Sequence, residues 1–254
     1  MSAWLPITIN ILGLLVVVFF STLVYYFSQS RKNSKRIFER DIPAYSKMKR
    51  SVEVAVETGN RMHLSLGYGG LIGPQAAISF SSLKILEKTS PHALLSENPA
   101  IISCGDPSLN ISAHDVLETT ARNIELDAKL EINQNQLTGL SPFSFAVGAL
   151  QLTSDRKTSV NILSGSFDSE SALMLDSAER SEHSTIAGSA NLIALAVFFS
   201  GTIDPIIGEE LFAAGGYFDP DSKQVSGMAA EDIFRWVIIG IILMGTLLNI
   251  IGGL

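Results

Sequence analysis

Met62-His63-Leu64-Ser65-Leu66-Gly67-Tyr68-Gly69-Gly70-Leu71-Ile72-Gly73-Pro74 is the stretch on which the fold turns. Residues 62–66 read as a short strand and 67–73 as a glycine-rich turn. Pro74 suits the first turn of a helix running to about Lys88. Ala76, Ala77, Phe80, Leu83, Ile85 and Leu86 give that helix a broad apolar face. A strand, a glycine turn and a helix in succession open a parallel α/β sheet.

The same alternation continues outward. Upstream, 42–58 reads as a helix ended by Gly59, although Val52, Val54 and Val56 alternate and leave 51–58 readable as a strand. Downstream, 99–104 is a second strand, and Ser112 is placed to cap a helix over 113–124. A third strand is expected at 128–132, a helix at 142–152 and a fourth strand at 159–163. Asp168 stands near the cap of a helix to 182, and 185–188 reads as a short strand. The apolar run 195–199 reads as a strand and 206–214 as helical. Even stretched to 190–203, the run around 192–199 is too short to span a bilayer and fits a buried core element. The pattern predicts an α/β domain: a doubly wound, Rossmann-like, mostly parallel sheet of five or six strands.

The chain ends differ in kind. Of 254 residues, 46% are hydrophobic, and the apolar excess is concentrated at the termini. Residues 1–30 and 236–254 contain no Asp, Glu, Lys or Arg. Each run has the length of a helix crossing a hydrocarbon core about 30 Å thick. A cleaved signal peptide would have a basic start and a short apolar core, which the first run lacks. Two flanking transmembrane helices are therefore expected, with Trp4, Tyr25, Tyr26 and Trp236 near the interfaces. Arg31, Lys32, Lys35 and Arg36 follow the first run, and Arg235 precedes the second, so the positive flanks predict a cytoplasmic middle and both termini outside the plasma membrane. The expected organisation is an anchor at 1–30, a basic juxtamembrane segment at 31–50, an α/β domain at 51–231 and a last helix at 232–254.

Eight of the 18 basic residues fall within 31–50. The remaining domain is acidic, which argues against nucleic acid as a partner. A single cysteine, Cys104, excludes an internal disulfide framework.

Ligands of an open α/β sheet bind beyond the carboxyl ends of its strands. The residues expected there are Gly67, Gly69 and Gly70, then Cys104 and Asp106, then Ser164 and Ser166, and finally Ser200, Thr202 and Asp204. The last two groups share the pattern Ser-Gly-Ser/Thr-apolar-Asp, at 164–168 and 200–204. Turn and cap chemistry uses the same residue types. The loop 67–73 departs from G-x-G-x-x-G spacing and no Walker motif is present, so no cofactor is indicated. Cys104 is a candidate nucleophile at a strand end. His63, His92, His114 and His183 lack metal-ligand spacing, and the adjacent Glu209 and Glu210 do not share a helix face.

Four stretches carry a resemblance: Ile101-Ile102-Ser103-Cys104-Gly105-Asp106-Pro107, Asn161 to Phe167, Ile207 to Tyr217 and Ala230 to Trp236. They resemble an uncharacterised bacterial membrane-protein family defined only as a domain of unknown function. The resemblance implies a cytoplasmic α/β domain between two transmembrane helices and brings no catalytic residue with it. Three functions remain open. The first is a non-catalytic membrane scaffold or complex subunit, self-associating or assembled with other membrane proteins; Gly240 and Gly245 would permit close helix packing. The second is a module sensing a small molecule or nucleotide, and the third is a membrane-bound hydrolase or transferase.

Overall fold

The computed structural model describes residues 5–29, 42–125, 134–202, 204–218 and 223–252. The chain forms two compact units. One is Asp41–Phe218; the other comprises Met1–Arg40 and Asp219–Leu254.

The unit Asp41–Phe218 is a three-layer α/β structure. In chain order it contains α2 (Pro43–Glu57), β1 (Arg61–Gly67), α3 (Ala76–Ala93), β2 (Ile101–Cys104), α4 (Pro107–Asn123) and β3 (Asn135–Leu137). There follow α5 (Pro142–Thr153), β4 (Thr158–Ser166), α6 (Ser171–Arg180), β5 (Ser184–Ser189), α7 (Leu192–Gly201), β6 (Ile206–Ile207), a 3-10 turn (Gly208–Ala213) and α8 (Ala214–Phe218). The six strands are all parallel, in the order β3-β2-β1-β4-β5-β6. This is the doubly wound order, with its topological switch between β1 and β4.

Local chemistry starts and stops the helices. Pro43, Pro107 and Pro142 occupy first-turn positions, where a missing N–H costs nothing. Ser141 and Ser144 form a reciprocal capping box on α5. Gly59, at φ +68°, closes the turn after α2. The helix reading of 51–58 therefore holds: α2 buries Tyr45, Met48, Val52 and Ala55, which recur at helical spacing.

Five expectations need correction. Residues 195–199 form the middle of α7 and not a strand. Asn191 caps that helix by accepting the Ile193 N–H, and Ala194, Leu195 and Phe198 turn inward. A parallel β5–β6 pair requires a crossover element, and α7 supplies it. Ser112 lies inside α4, whose cap is Asp106. The helix expected at 206–214 is instead β6 followed by the 3-10 turn. Helix α6 begins at Ser171 with Glu170 at its cap position, beyond Asp168. Helix α3 starts at Ala76 and continues past Lys88 to Ala93. The strand expected at 128–132 falls outside the described residues, and β3 lies just beyond it.

One face of the sheet carries a core of Phe145, Ala149, Leu163, Phe167, Met174, Ala187 and Phe198, contributed by α5, α6, α7 and the central strands. Phe167 meets Phe198 edge-on, with ring centroids 5.8 Å apart.

In the other unit, α1 (Leu5–Gln29) packs on α9 (Lys223–Gly252). Phe27 and Ala230 are buried among Leu23, Val24 and Ile233. Phe20 meets Phe234 at 5.7 Å, so the two helices run antiparallel. The positions of Gly240 and Gly245 are open, so they do not serve this packing. Among the described residues no helix is long and apolar enough to cross a membrane.

Candidate functional site

The carboxyl ends of β3, β2, β1 and β4 are stitched together by backbone hydrogen bonds. Thr138 N–H donates to Cys104 O at 3.0 Å, Gly105 N–H to Gly67 O at 2.9 Å and Tyr68 N–H to Ser166 O at 3.0 Å. Gly67 and Ser166 are register partners across the switch point. The glycine loop is pressed against its neighbours. A side chain at Gly69 would lie 2.7 Å from Ser166 Cβ, and one at Gly70 would lie 3.0 Å from Asp106 Oδ2. Two hydroxyls hold the loop: Ser79 donates to Gly69 O at 3.0 Å, and Ser108 accepts Leu71 N–H at 3.3 Å.

Asp106 anchors the second rim loop. Its Oδ1 accepts Ser108 N–H at 2.8 Å and Leu109 N–H at 3.1 Å, together with the Ser108 hydroxyl. Burial alone would raise this carboxyl. The hydrogen bonds from Ser108 and Leu109 outweigh that and hold it below the usual carboxylate range. Asp106→Ala should therefore cost about 1 kcal/mol through the lost cap. A thermal melt of the full chain should show the midpoint falling by about 2–4 °C.

Glu170, a residue the sequence did not single out, stands where β4 leads into α6. It is 1% exposed. Its Oε1 accepts Asp168 N–H at 2.8 Å, while Oε2 has no hydrogen-bond partner among the described residues. Burial pushes its carboxyl upward, against the pull of the backbone hydrogen bonds. Nothing in the sequence marks it out, since an acidic residue at a helix start normally faces solvent.

The remaining candidates divide. Ser166 sits at the rim, 2% exposed, while Ser164 is fully buried within β4, its hydroxyl without a hydrogen-bond partner among the described residues. Cys104 is fully buried, its Sγ 3.7 Å from Asn135 Oδ1. Burial pushes the thiol well above its ordinary pKa, and nearby Asp106 adds to the shift, so the neutral thiol is favoured over the thiolate. Ser200, Thr202 and Asp204 leave the rim altogether. Ser200 lies in the last turn of α7, and Thr202 and Asp204 lie between α7 and β6, which places all three at the amino edge of the sheet. The two similar motifs thus lie at opposite edges. Thr202 and Asp204 instead line a cleft of about 370 Å³ with Phe199, Ile207 and Glu210.

Beneath the rim runs a buried polar chain. His63, in the middle of β1, is fully enclosed. Its Nδ1 lies 2.9 Å from Asn161 Oδ1 and its Nε2 2.9 Å from Ser103 Oγ. Asn161 Nδ2 donates to Thr153 O at 3.1 Å, so Oδ1 accepts. The bonding assigns the proton of a neutral ring to Nδ1 and leaves Nε2 to accept from Ser103. Burial lowers the His63 pKa to about 4, against the opposing effect of the Asn161 bond. This chain is an internal support of the central strands. Among the described residues, no group of His, Cys, Asp and Glu is arranged to hold a metal ion.

An all-parallel sheet in doubly wound order, with a glycine loop after β1 and carboxylates after β2 and β4, defines a Rossmann-like α/β domain with its topological switch between β1 and β4. The chain belongs to the DUF6754 family, a domain of unknown function whose model matches residues 4–254. No curated protein matches the chain, and no solved structure does.

Proposed function

We propose that the chain is a membrane-anchored, non-catalytic complex subunit whose α/β unit docks through the carboxyl edge of its sheet, first of all on a second copy of itself. One observation carries the reading: large apolar side chains are exposed along that edge. Ile72 in the glycine loop is 92% exposed, Leu192 at the start of α7 80%, Leu140 before α5 71%, Ile111 in α4 71% and Phe143 in α5 61%. Single exposed apolar residues are ordinary, but several on one edge are the mark of an interaction surface. The loops carrying them are tied down by the hydrogen bonds described above, so docking would order little new chain.

The anchor is proposed on the sequence. The charge-free runs 1–30 and 236–254 have spanning length, and the basic residues that follow the first favour a cytoplasmic middle, with both termini outside the plasma membrane. The exposed apolar side chains of α1 and α9, Leu14, Leu15, Trp236 and Ile241 among them, agree with a lipid surround. Extraction should require detergent, and a reagent excluded from cells should label the termini and spare the α/β unit.

The test of assembly is the native mass in a mild neutral detergent. The wild-type chain should run as an oligomer or with a co-purifying protein. Ile72→Asp combined with Leu192→Asp should reduce it to a single chain with an unchanged melting temperature. A monomeric wild type with nothing bound would sink the docking reading.

A second reading, sensing of a small molecule, is favoured by the topological switch point, beside which open α/β sheets bind ligands, and by the buried Glu170 Oε2, unpaired among the described residues. The loops around it, 67–75, 104–110, 138–144 and 166–171, contain no Lys, Arg or His, and Asp106 borders the glycine loop. Such a rim suits a neutral or cationic ligand rich in hydroxyl or amino donors better than a phosphate.

A further inference from the structure

The cleft of about 370 Å³ at the amino edge lies within the α/β unit, where the start of α2 meets the end of α7, the loop into β6 and the 3-10 turn. Its volume falls in the range of about 300–1,000 Å³ usual for small-molecule sites. Ile42, Pro43, Ala44, Phe199, Pro205 and Ile207 make its walls largely apolar. Its polar side chains accept hydrogen bonds and do not offer them. The Thr202 hydroxyl already donates to Phe198 O at 2.8 Å and has only lone pairs left. The Asp204 carboxylate is exposed and has no hydrogen-bond or ion-pair partner among the described residues. No Lys, Arg or His is among the described residues that line the cleft.

The walls are held by hydrogen bonds of the fold itself. The Tyr45 hydroxyl donates to Glu210 O at 2.8 Å, which ties α2 to the 3-10 turn. Ile207 N–H donates to Glu210 Oε2 at 3.2 Å, so the Glu210 carboxylate serves its own turn. Thr202 N–H donates to Phe198 O at 2.8 Å and closes α7. Pro43 and Pro205 have no N–H to give. The chemistry of a ligand follows from these walls. An anion would meet the Asp204 carboxylate with no cationic side chain among the described lining to offset it. A neutral apolar molecule would strip water from that carboxylate and return nothing for it. A cation on an apolar body satisfies both parts of the cleft, and the net charge of −7 attracts it from a distance.

The geometry points to a binding site for a small organic amine in its ammonium form, carried on an aromatic or branched hydrocarbon body. Asp204 pairs with the ammonium group, and the Thr202 hydroxyl accepts one of its N–H bonds. Phe199, Pro43 and Ile207 cover the hydrocarbon. Neither Asp204 nor Phe199 belongs to the rim, so the inference is independent both of docking through the carboxyl edge and of a ligand at the switch point.

The experiment titrates the full chain in neutral detergent with 2-phenylethylamine at pH 7.5 and follows the heat by calorimetry, with detergent alone as the blank. The neutral 2-phenylethanol and the anionic 3-phenylpropanoate are titrated in the same way. The expected result is saturable binding of the amine, about tenfold or more tighter than that of the alcohol, and none of the carboxylate. Asp204→Asn should weaken amine binding about tenfold or more. Asn tolerates the φ of +59° at this position as Asp does, so the variant should keep the wild-type melting temperature. Asp115→Asn, which removes one exposed charge from α4, should bind the amine as the wild type does. Absence of amine binding overturns the proposal. So does equal affinity for amine and alcohol, or amine binding that survives Asp204→Asn and therefore lies elsewhere on the chain.

Discussion

Gly165→Ala is expected to destabilise the α/β unit by about 4 kcal/mol, at the upper end of single-residue effects. Gly165 lies within β4, beside the end of β1, and a Cβ there would stand 2.1 Å from Leu66 O and 2.5 Å from Leu66 C. Both are backbone atoms of the neighbouring strand, so relief requires the two central strands to part. Gly67→Ala meets the same seam from the other side. Its Cβ would lie 2.2 Å from Ser166 O, and its φ of +78° adds conformational strain. The contrast is Gly73, at φ +99° with nothing near its Cβ, where alanine should cost about 1 kcal/mol from backbone strain alone. Urea unfolding of the three variants separates crowding from strain. A Gly165→Ala chain as stable as wild type would show that β1 and β4 do not close as described. Because most domains are stable by only about 5–15 kcal/mol, the first two variants should also accumulate poorly in cells.

The second large effect is on pH dependence. His63 is neutral when folded, with a pKa lowered to about 4, whereas in the unfolded chain it titrates near the ordinary value of 6.5. Between those values the unfolded state binds the extra proton, so stability rises with pH. The contribution is complete above about pH 6.5. Falling pH should remove roughly 2 kcal/mol of it by pH 5 and roughly 3 kcal/mol below pH 4. Denaturant midpoints measured from pH 7.5 to pH 4 in wild type and in His63→Leu isolate this group. Other carboxylates titrate in both chains, and only the wild type should carry the extra slope. The variant should be less stable at pH 7, since Ser103 and Asn161 Oδ1 lose their partner. Equal slopes would mean that the ring is solvated.

The elements that were legible in the sequence were those whose signals are local. Residues 62–73 read correctly as strand and glycine turn because five short apolar and polar residues before Gly67 leave few alternatives. Pro43 and Pro142 mark helix starts through their own covalent geometry, whereas the start at Pro107 was passed over for Ser112. The run 195–199 misled because Leu195, Ala196, Val197, Phe198 and Phe199 are apolar throughout, and periodicity cannot then distinguish a strand from a helix. That error moved Ser200, Thr202 and Asp204 to the wrong edge of the sheet. Glu170 and the His63–Asn161–Ser103 chain were missed for another reason: the significance of Glu170 lies in its burial, and that of His63 in burial and in partners 40 and 98 positions away.

The residues taken in order determine that strands alternate with helices, that the chain ends are apolar and free of charge, and that the body between them is acidic. Each is a property of composition or of neighbours along the chain. Only the folded structure decides that β1 lies between β2 and β4, that Asp106 closes on Gly70 and that His63 meets Asn161 and Ser103. Those contacts join residues far apart in the chain, and the side chains that make them look no different in sequence from ordinary turn and surface residues.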